Sequence, residues 1–332
     1  MTESRFQRLI EKKDVIYITV KNADYIRTSQ IVRLLEETAA SFKMYSSEKS
    51  NPLTRALELR RRISEIPFED ADVVILGFLP QLIWGKALRQ IRKKQTQRGN
   101  KPILIADMFL SVYDTVVQDR RLVSKNGLLA RLCRTLDSKV VSEADLIITD
   151  TRADGDYFAR EFSGEKSKFE PLYLKALSIT FPDKNISTIE KSVLYFGTGL
   201  PLQGTDVVLK AFKVLSEEHG YKCIFIGGLK GLNAEQKAFA HNGTIEYHDW
   251  LPLQELYAKI AQVSICLAGH FNPDIDKADR TIPGKAMIYE ELGKKMILGD
   301  TKANHELFVE DDRHFFVPRG DVEQIVEAVL KI

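Results

Sequence analysis

Short apolar runs rich in β-branched residues recur along the chain, separated by longer stretches whose apolar residues fall at i, i+3/i+4 and i+7. In the first half the runs are VIYITV (15–20), SFKMYSS (41–47), VVILGF (73–78), PILIADMF (102–109), LIITDT (146–151) and FEPLYL (169–174). In the second half they are VLYFGTG (193–199), CIFIGG (223–228), IEYHDWL (245–251), SICLAG (264–269), MILGDT (296–301) and HFFVPRG (314–320). Amphipathic helices such as TSQIVRLLEETAA, TDVVLKAFKVLSEE, LQELYAKIAQ and DVEQIVEAVLKI lie between them. Such alternation predicts βα units around parallel sheets. The expected fold class is therefore α/β: two Rossmann-like doubly wound parallel-sheet domains, 1–178 and 190–332, joined by a linker near 176–191 and facing an interdomain cleft.

Composition adds bounds rather than detail. The chain has 332 residues, 44% hydrophobic and 28% charged, which excludes disordered and fibrous classes. Cys133, Cys223 and Cys266 are far apart, lack metal-ligand spacing and read as small core residues in a reducing compartment. The start, MTESRFQRLIEKKD, is charged throughout and does not read as a secretory signal, and no long apolar run predicts a membrane span. The expected location is cytoplasmic, with a peripheral position at the inner face of the plasma membrane as an extension of it.

The net charge of +2 conceals an asymmetry. Residues 1–190 carry 32 basic and 26 acidic side chains, a net +6, and residues 191–332 carry 16 and 20, a net −4. Two basic stretches, LTRALELRRRIS and PQLIWGKALRQIRKKQTQR, the second led by Leu82, Ile83 and Trp84, have the pattern of a contact with an anionic membrane; the alternative is a solvated helix flank. Nucleic acid is not an expected partner, because the first half is only mildly basic and carries no recognition motif.

The segment YFGTGLPLQGTDVVLKAF is the most informative stretch. A strand runs into Gly197, Thr198 and Gly199, then Gln203 and Gly204, and then a helix. Glycines allow close backbone approach and a helix N-terminus offers N–H groups to an anion, so a diphosphate is the natural guest; a strand-to-helix turn alone also needs Gly and Pro. A second turn, IGGLKGL, places Gly228 beside Lys230, without P-loop or dinucleotide spacing. The polar stretch from Gly269 to Phe308 supplies Arg280 and Lys285, cations suited to a diphosphate leaving group, and also His270 and His305. In the first half, IADMFLSVYDTVVQDRR sets Asp107, Tyr113, Asp114, Asp119 and Arg120 after a strand, where carboxylates can bind sugar hydroxyls or take a proton, or else cap a helix. The six histidines show no zinc-type pairing, and no metal site is expected.

With these residues in view, the chain resembles the GT-B glycosyltransferases, nearest to glycosyltransferase family 4 of bacterial polysaccharide assembly. The resemblance spans nearly the whole chain. It is clearest in FLSVYDTVVQDR, LIITDT, YFGTGLPLQG and DKADRTIPGKAMIYEELGKKMILGDTKANHELF, where Pro283, Lys285, Gly293 and Glu306 match the family's Pro-x-Lys helix, Gly-Lys turn and later Glu. It implies a nucleotide-sugar donor, such as a UDP- or GDP-sugar, held by the second domain, an acceptor on the first, no cofactor or metal, and retention of configuration.

Carried over by position, the resemblance implies that Gly197–Gly199, Gln203, Gly204, Gly228, Lys230, His270 and Glu306 line the donor site, with the Trp250-Leu251 backbone against the base. Asp107, Asp114, Arg280 and Lys285 are the expected catalytic residues, and Lys21, Arg27, Tyr113 and Asp150 the acceptor side. Two departures stand out. The family's E-x7-E positions hold Arg280 and Ile288, and Gln203 stands where a Lys is common. The expected function is transfer of a hexosyl or N-acetylhexosaminyl group to a glycan or lipid-linked oligosaccharide. The alternatives are a non-catalytic glycan-binding GT-B partner and a nucleotide-sugar epimerase.

Overall fold

The computed structural model describes residues 4–95, 101–176 and 187–332. The chain divides into two compact units, Met1–Lys175 and Ala176–Ile332. Residues 177–186, most of the expected linker, lie outside the described residues, as do 96–98 of the second basic stretch.

The first unit holds six strands: β1 (Asp14–Thr19), β2 (Ser41–Tyr45), β3 (Val73–Gly77), β4 (Ile103–Asp107), β5 (Leu146–Thr149) and β6 (Phe169–Pro171). They form one sheet in the order β2-β1-β3-β4-β5-β6, parallel throughout. Its helices are α1 (Arg5–Ile10), α2 (Ile26–Thr38), α3 (Pro52–Arg62), α4 (Trp84–Gln95), α5 (Leu128–Glu143) and α6 (Arg152–Glu161). Strand alternation divides the core in two. Ile16, Ile18, Val74 and Leu76 pack with residues of α3, α4, α5 and α6, whereas Val15, Tyr17, Val73 and Ile75 pack with Phe6, Ile10, Ile31 and Leu35 of α1 and α2.

The second unit repeats the plan with β7 (Ile189–Gly197), β8 (Lys222–Gly227), β9 (Glu246–His248), β10 (Val263–Gly269), β11 (Lys295–Gly299) and β12 (His314–Val317). The order is β12-β11-β10-β7-β8-β9, again parallel. Its helices are α7 (Thr205–Glu217), α8 (Ala234–His241), α9 (Leu253–Gln262), α10 (Lys277–Arg280), α11 (Gly284–Glu291) and α12 (Val322–Lys331). In each sheet the chain starts centrally, winds to one edge and returns to the other side of its first strand. The loops after β1 and β3, and those after β7 and β10, therefore diverge, leaving a crevice at the carboxyl ends where such sheets bind ligands.

All twelve strands fall within or beside the runs read from the sequence, with instructive differences at their ends. FEPLYL is a strand only to Pro171, although Leu172 N still donates to Thr149 O at 2.9 Å; the next carbonyls accept side-chain bonds, Leu172 O from Arg27 and Tyr173 O from Gln30 Nε2 at 2.8 Å. Conversely, β7 begins at Ile189, inside the expected linker. Trp84, which leads the stretch read as a membrane contact or a solvated helix flank, is only 2% exposed and belongs with Ile83 to the core under α4. Its indole Nε1 donates to Glu143 Oε2 at 2.8 Å, which joins α4 to α5. Cys223 and Cys266 are buried as expected, and Cys133 is half-buried.

Gly204 and Gly227 are among the glycines fixed by backbone contact. Gly204 has φ +65°, and a Cβ there would lie 2.7 Å from Phe271 C and Asn272 N. Gly227 has φ +136°, and its Cβ would lie 1.8 Å from Gly197 O on the neighbouring strand. Gly227→Ala is expected to cost about 3 kcal/mol or more, because backbone must move. Gly231→Ala, at φ +85° with open space where its Cβ would stand, is expected to cost about 1 kcal/mol. Urea unfolding compares them, and equal costs would refute the contact argument.

Candidate functional site

The carboxyl ends of β10, β7, β8 and β9 form a row in the second unit, and most residues singled out for a donor lie along it. After β7, the turn at Gly197–Leu200 is held by one side chain. Gln203 Oε1 accepts from Gly199 N at 3.1 Å, Leu200 N at 3.3 Å and Tyr195 Oη at 3.4 Å. The Gly199 and Leu200 N–H groups, which glycine spacing alone makes candidates for phosphate, are thus committed to a side chain. The start of α7 is likewise covered, since Phe271 N donates to Gln203 O at 3.3 Å and the Phe271–Asn272 backbone abuts Gly204. An anion at this strand end would have to meet side-chain cations rather than these N–H groups.

Those cations are present and buried. α11 begins after Pro283 and turns Lys285 inward, beneath the Gly197 turn: a Cβ on Gly197 would lie 3.1 Å from Lys285 Nζ. The ammonium sits 3.8 Å from the Tyr195 ring centroid and is buried with no hydrogen-bond partner. Burial holds its pKa well below the ordinary lysine value. Lys277 and Arg280 are buried on α10. Arg319, after β12, donates from Nη1 to Asn272 O at 3.0 Å and Ile275 O at 3.1 Å, which shapes the loop after β10.

His270 reports the field that these groups create. Its ring is buried, with Nδ1 3.5 Å from Thr281 Oγ1. Burial first, then repulsion from Lys285, Lys277 and Arg319, pushes its pKa down to about 3 against the opposing hydrogen bond from Thr281. The imidazole is therefore neutral at physiological pH and able to donate one N–H. Residues 191–332 carry a net −4, yet positive charge gathers at this strand end.

The remaining expected donor residues spread along the row. Gly228 O lies 2.8 Å from the Cβ position of Gly199, so the two glycine turns abut; Thr198 and Lys230 are exposed beside them. Trp250, 73% exposed, and half-buried Leu251 follow β9, which is three strands from β10. That separation is roughly 14 Å, room for an extended ligand rather than a compact ion. Glu306 is half-buried in the turn after β11.

In the first unit the carboxyl ends of β1, β3, β4 and β5 gather a second group. Arg27, fully buried on α2, donates from Nε and Nη2 to Asp107 Oδ1 at 3.1 and 2.9 Å, from Nη2 to Thr149 O at 3.3 Å and from Nη1 to Leu172 O. Its charge is spent on the fold, while Asp107 Oδ2 has no hydrogen-bond partner. Beside them Tyr25, Phe78 and Phe109 make an aromatic cluster with centroids 5.2 to 6.0 Å apart. Lys21 Nζ stands 4.7 Å from the Tyr25 centroid, its pKa lowered by burial and then by Arg55, with Asp24 opposing. Burial, followed by Asp150 and Asp107 and opposed by Arg27, pushes the Tyr25 hydroxyl up to about 12.

Of the expected acceptor-side residues, Lys21, Arg27 and Asp150 thus join Asp107. Tyr113 does not: its ring packs in the core against Phe162, with centroids 6.3 Å apart. Asp114 is buried at the start of a π-helical turn, Asp114–Asp119. Both follow from Asp137 of α5, absent from the residues singled out by sequence, which accepts from Ser111 Oγ and Tyr113 N at 2.8 Å, Val112 N at 3.2 Å and Gln81 Nε2 at 2.6 Å. Burial pushes its carboxyl up to about 6, against these hydrogen bonds. Sequence reading also missed Lys277, Arg319, Tyr25 and Phe78; an aspartate on the apolar face of α5 was the one available signal for such a network.

No protein-family model matches the chain, and no curated protein matches it in sequence. Solved structures do match in fold. HepE of Anabaena in complex with UDP and glucose is 11% identical, with a TM-score of 0.62 over 96% of this chain and 89% of that one. Sucrose-phosphate synthase of Thermosynechococcus elongatus is 10% identical, with a TM-score of 0.60 over 96% and 89% of the two chains. UDP-GlcNAc 2-epimerase of Methanocaldococcus jannaschii is 12% identical, with a TM-score of 0.53 over 96% and 92%. At such identities the likeness is one of fold: the chain carries the two Rossmann-like domains of GT-B proteins.

Proposed function

We propose that the chain is a glycosyltransferase of the GT-B type, moving a hexosyl or N-acetylhexosaminyl group from a nucleoside diphosphate donor to a glycan or lipid-linked acceptor. The observation that carries this reading is the buried Lys285 ammonium, without a hydrogen-bonding partner, beneath a glycine turn at the carboxyl end of a Rossmann-like sheet. Burial disfavours the charged form of this amine unless an anion meets it. Support comes from neighbours of the same fold, among them structures with UDP and UDP-glucose. A uridine donor is the first candidate.

In this reading the diphosphate lies against Lys285 and Arg280, and the nucleoside extends along the row of strand ends toward Trp250. As the sugar–phosphate bond breaks, negative charge grows on the departing diphosphate. Cations already fixed in the fold stabilise that charge without reorganising at the moment of reaction, the task a divalent ion performs in other sites. Neutral His270 donates its N–H to a donor oxygen without delivering a proton. Attack by an acceptor hydroxyl from the face that the leaving group departs, with its proton passing to the departing diphosphate, would retain configuration. In the first unit, Tyr25, Phe78 and Phe109 offer faces to a sugar ring, and Asp107 Oδ2 and Asp150 accept from its hydroxyls. A cytoplasmic location and peripheral contact with an anionic membrane belong to the same reading, and no helix among the described residues is long and apolar enough to cross a membrane.

A second reading, a nucleotide-sugar epimerase, is favoured by the UDP-GlcNAc 2-epimerases among the neighbours. Conversion of UDP-GlcNAc without any acceptor would select it. Transfer that requires an added acceptor selects the glycosyltransferase.

Calorimetry with UDP, GDP and their sugars tests the site. Lys285→Met is expected to weaken nucleotide binding at least about ten-fold while leaving unchanged or raising the unliganded unfolding temperature, because a buried amine without a hydrogen-bond partner is removed. Unchanged binding would remove Lys285 from the site, and a wild type that binds none of these ligands at millimolar concentration would favour the non-catalytic partner. His270 sets a pH dependence. Its folded pKa lies below the unfolded value, so between pH 6.5 and about 3 the unfolded chain binds a proton that the folded chain refuses. Stability should fall by about 1 kcal/mol per pH unit on acidification from 6.5 in the wild type. His270→Gln should lack that component, as urea unfolding at pH 7.5 and 5 would show.

A further inference from the structure

Along the strand ends of the first unit, side-chain chemistry changes in one direction. In the sheet order β2-β1-β3-β4-β5, the residues that follow the strands are Arg55 on α3, then Lys21, then Phe78, then Phe109 beside Asp107, then Asp150. Cations stand at one end, rings in the middle and carboxylates at the other. From β1 to β4 is roughly 10 Å, close to the span of one sugar ring with a substituent on each side. Phe78 adds a separate sign of a site. It is a bulky residue at φ +67°, in a turn that Leu79 N closes by donating to Gly77 O at 3.0 Å. Such backbone is strained, and what it achieves here is to set the ring against Tyr25 and Phe109, which are themselves only half-buried.

The cationic end lacks an anion of its own. Among the described residues of the first unit the buried arginines are Arg27 and Arg55. Arg27 meets Asp107, but Arg55 makes no ion pair: its Nε donates to Lys49 O, and its two Nη groups have no hydrogen-bond partner among the described residues. Lys21 is half-buried and likewise makes no ion pair or side-chain hydrogen bond there, its Nζ lying 4.7 and 5.5 Å from the Tyr25 and Phe78 centroids. β1 and β2 are adjacent, Val20 and Ala56 belong to one core cluster, and repulsion from Arg55 adds to burial in lowering the Lys21 pKa. Like charges gathered in this way favour an anion between them. Glu58, the one acidic residue of α3, is not that anion, since it accepts from Ser47 Oγ at 2.7 Å and pairs with Arg62 at 3.7 Å. Asp24, which opposes the Lys21 shift, is exposed.

We infer that Lys21 and Arg55 bind the carboxylate of an acidic sugar, a uronic acid, whose ring lies on Tyr25 and Phe109 and whose hydroxyls donate to Asp107 Oδ2. A guanidinium fork matches a planar carboxylate through both Nη groups. The single charge of a carboxylate also suits a row that ends in Asp107 and Asp150 better than a phosphate dianion does. That this sugar is the acceptor of a transfer rests on the glycosyltransferase reading; the binding of its carboxylate does not.

Titration of the full chain, without nucleotide, with methyl glucuronide, methyl glucoside and glucose 6-phosphate, followed by ligand-observed NMR, provides the test. The wild type is expected to bind the glucuronide about ten-fold or more tightly than the glucoside, with the difference shrinking as salt rises. Lys21→Gln and, separately, Arg55→Gln should bring the glucuronide down to the level of the glucoside and leave the glucoside unchanged. Lys21→Gln removes no side-chain hydrogen bond of the fold, so it decides the matter even if Arg55→Gln, which loses the tie to Lys49 O, unfolds. A glucuronide that does not bind, or binds no more tightly than the glucoside, overturns the site, as does a Lys21→Gln variant that keeps the preference. Tighter binding of glucose 6-phosphate than of the glucuronide overturns the carboxylate. A chain that prefers the glucuronide yet binds no UDP and transfers no sugar would sink the functional reading alone.

Discussion

In both units helices cover the two faces of a fully parallel sheet, so strand side chains are apolar on both sides and polar groups reach a ligand only where strands end. That constraint organises the rest. It puts Gly197, Gly228, His270 and Trp250 in one row and Lys21, Phe78, Asp107 and Asp150 in another, although neither set is contiguous in the chain. It also dictates the close contacts, because loops leaving adjacent strands share little space, and Gly227 is the residue that allows β7 and β8 to end together.

Within these rows, two buried cations show how differently one charge can be used. Arg27 meets a carboxylate and two carbonyls, and its guanidinium is a tie between α2 and the strand ends. Lys285 meets the face of Tyr195 and nothing that accepts a hydrogen bond. Planar guanidinium donors suit a permanent multi-point tie, whereas a compact ammonium kept short of acceptors remains ready for a ligand. Burial is the main reason that the His270 pKa is low, and Lys285, Lys277 and Arg319 push it further in the same direction.

The strands were legible because a parallel strand buried on both faces is an unbroken β-branched run, and the glycine turns because their spacing interrupts such runs. Roles at the turns were less so. Nothing local in YFGTGLPLQG reveals that Gln203 turns back to occupy the Gly199 and Leu200 N–H groups. Lys277 sits in a polar, irregular stretch, and only the path of the chain after β10 buries it. Tyr25, Phe78 and Phe109 come from three connections, so their cluster exists only in the assembled sheet. Trp84 misled for a related reason: a tryptophan ahead of a basic run has a membrane pattern, but the helical repeat turns it inward and leaves the leucines of α5 outside.

The tie made by Arg27 bears on the order in which the chain can mature during synthesis. Its partners lie 80, 122 and 145 residues further along, at Asp107, Thr149 and Leu172. β1 and β3 can pair as soon as residue 77 has emerged, but the guanidinium has no complete set of acceptors until Leu172 follows. Its charge finds a carboxylate once Asp107 is made, and the two carbonyls complete the set later. The seal of α2 over the carboxyl ends of β4, β5 and β6 would therefore be completed only with the last strand, although α1, made first, packs on the same face of the sheet.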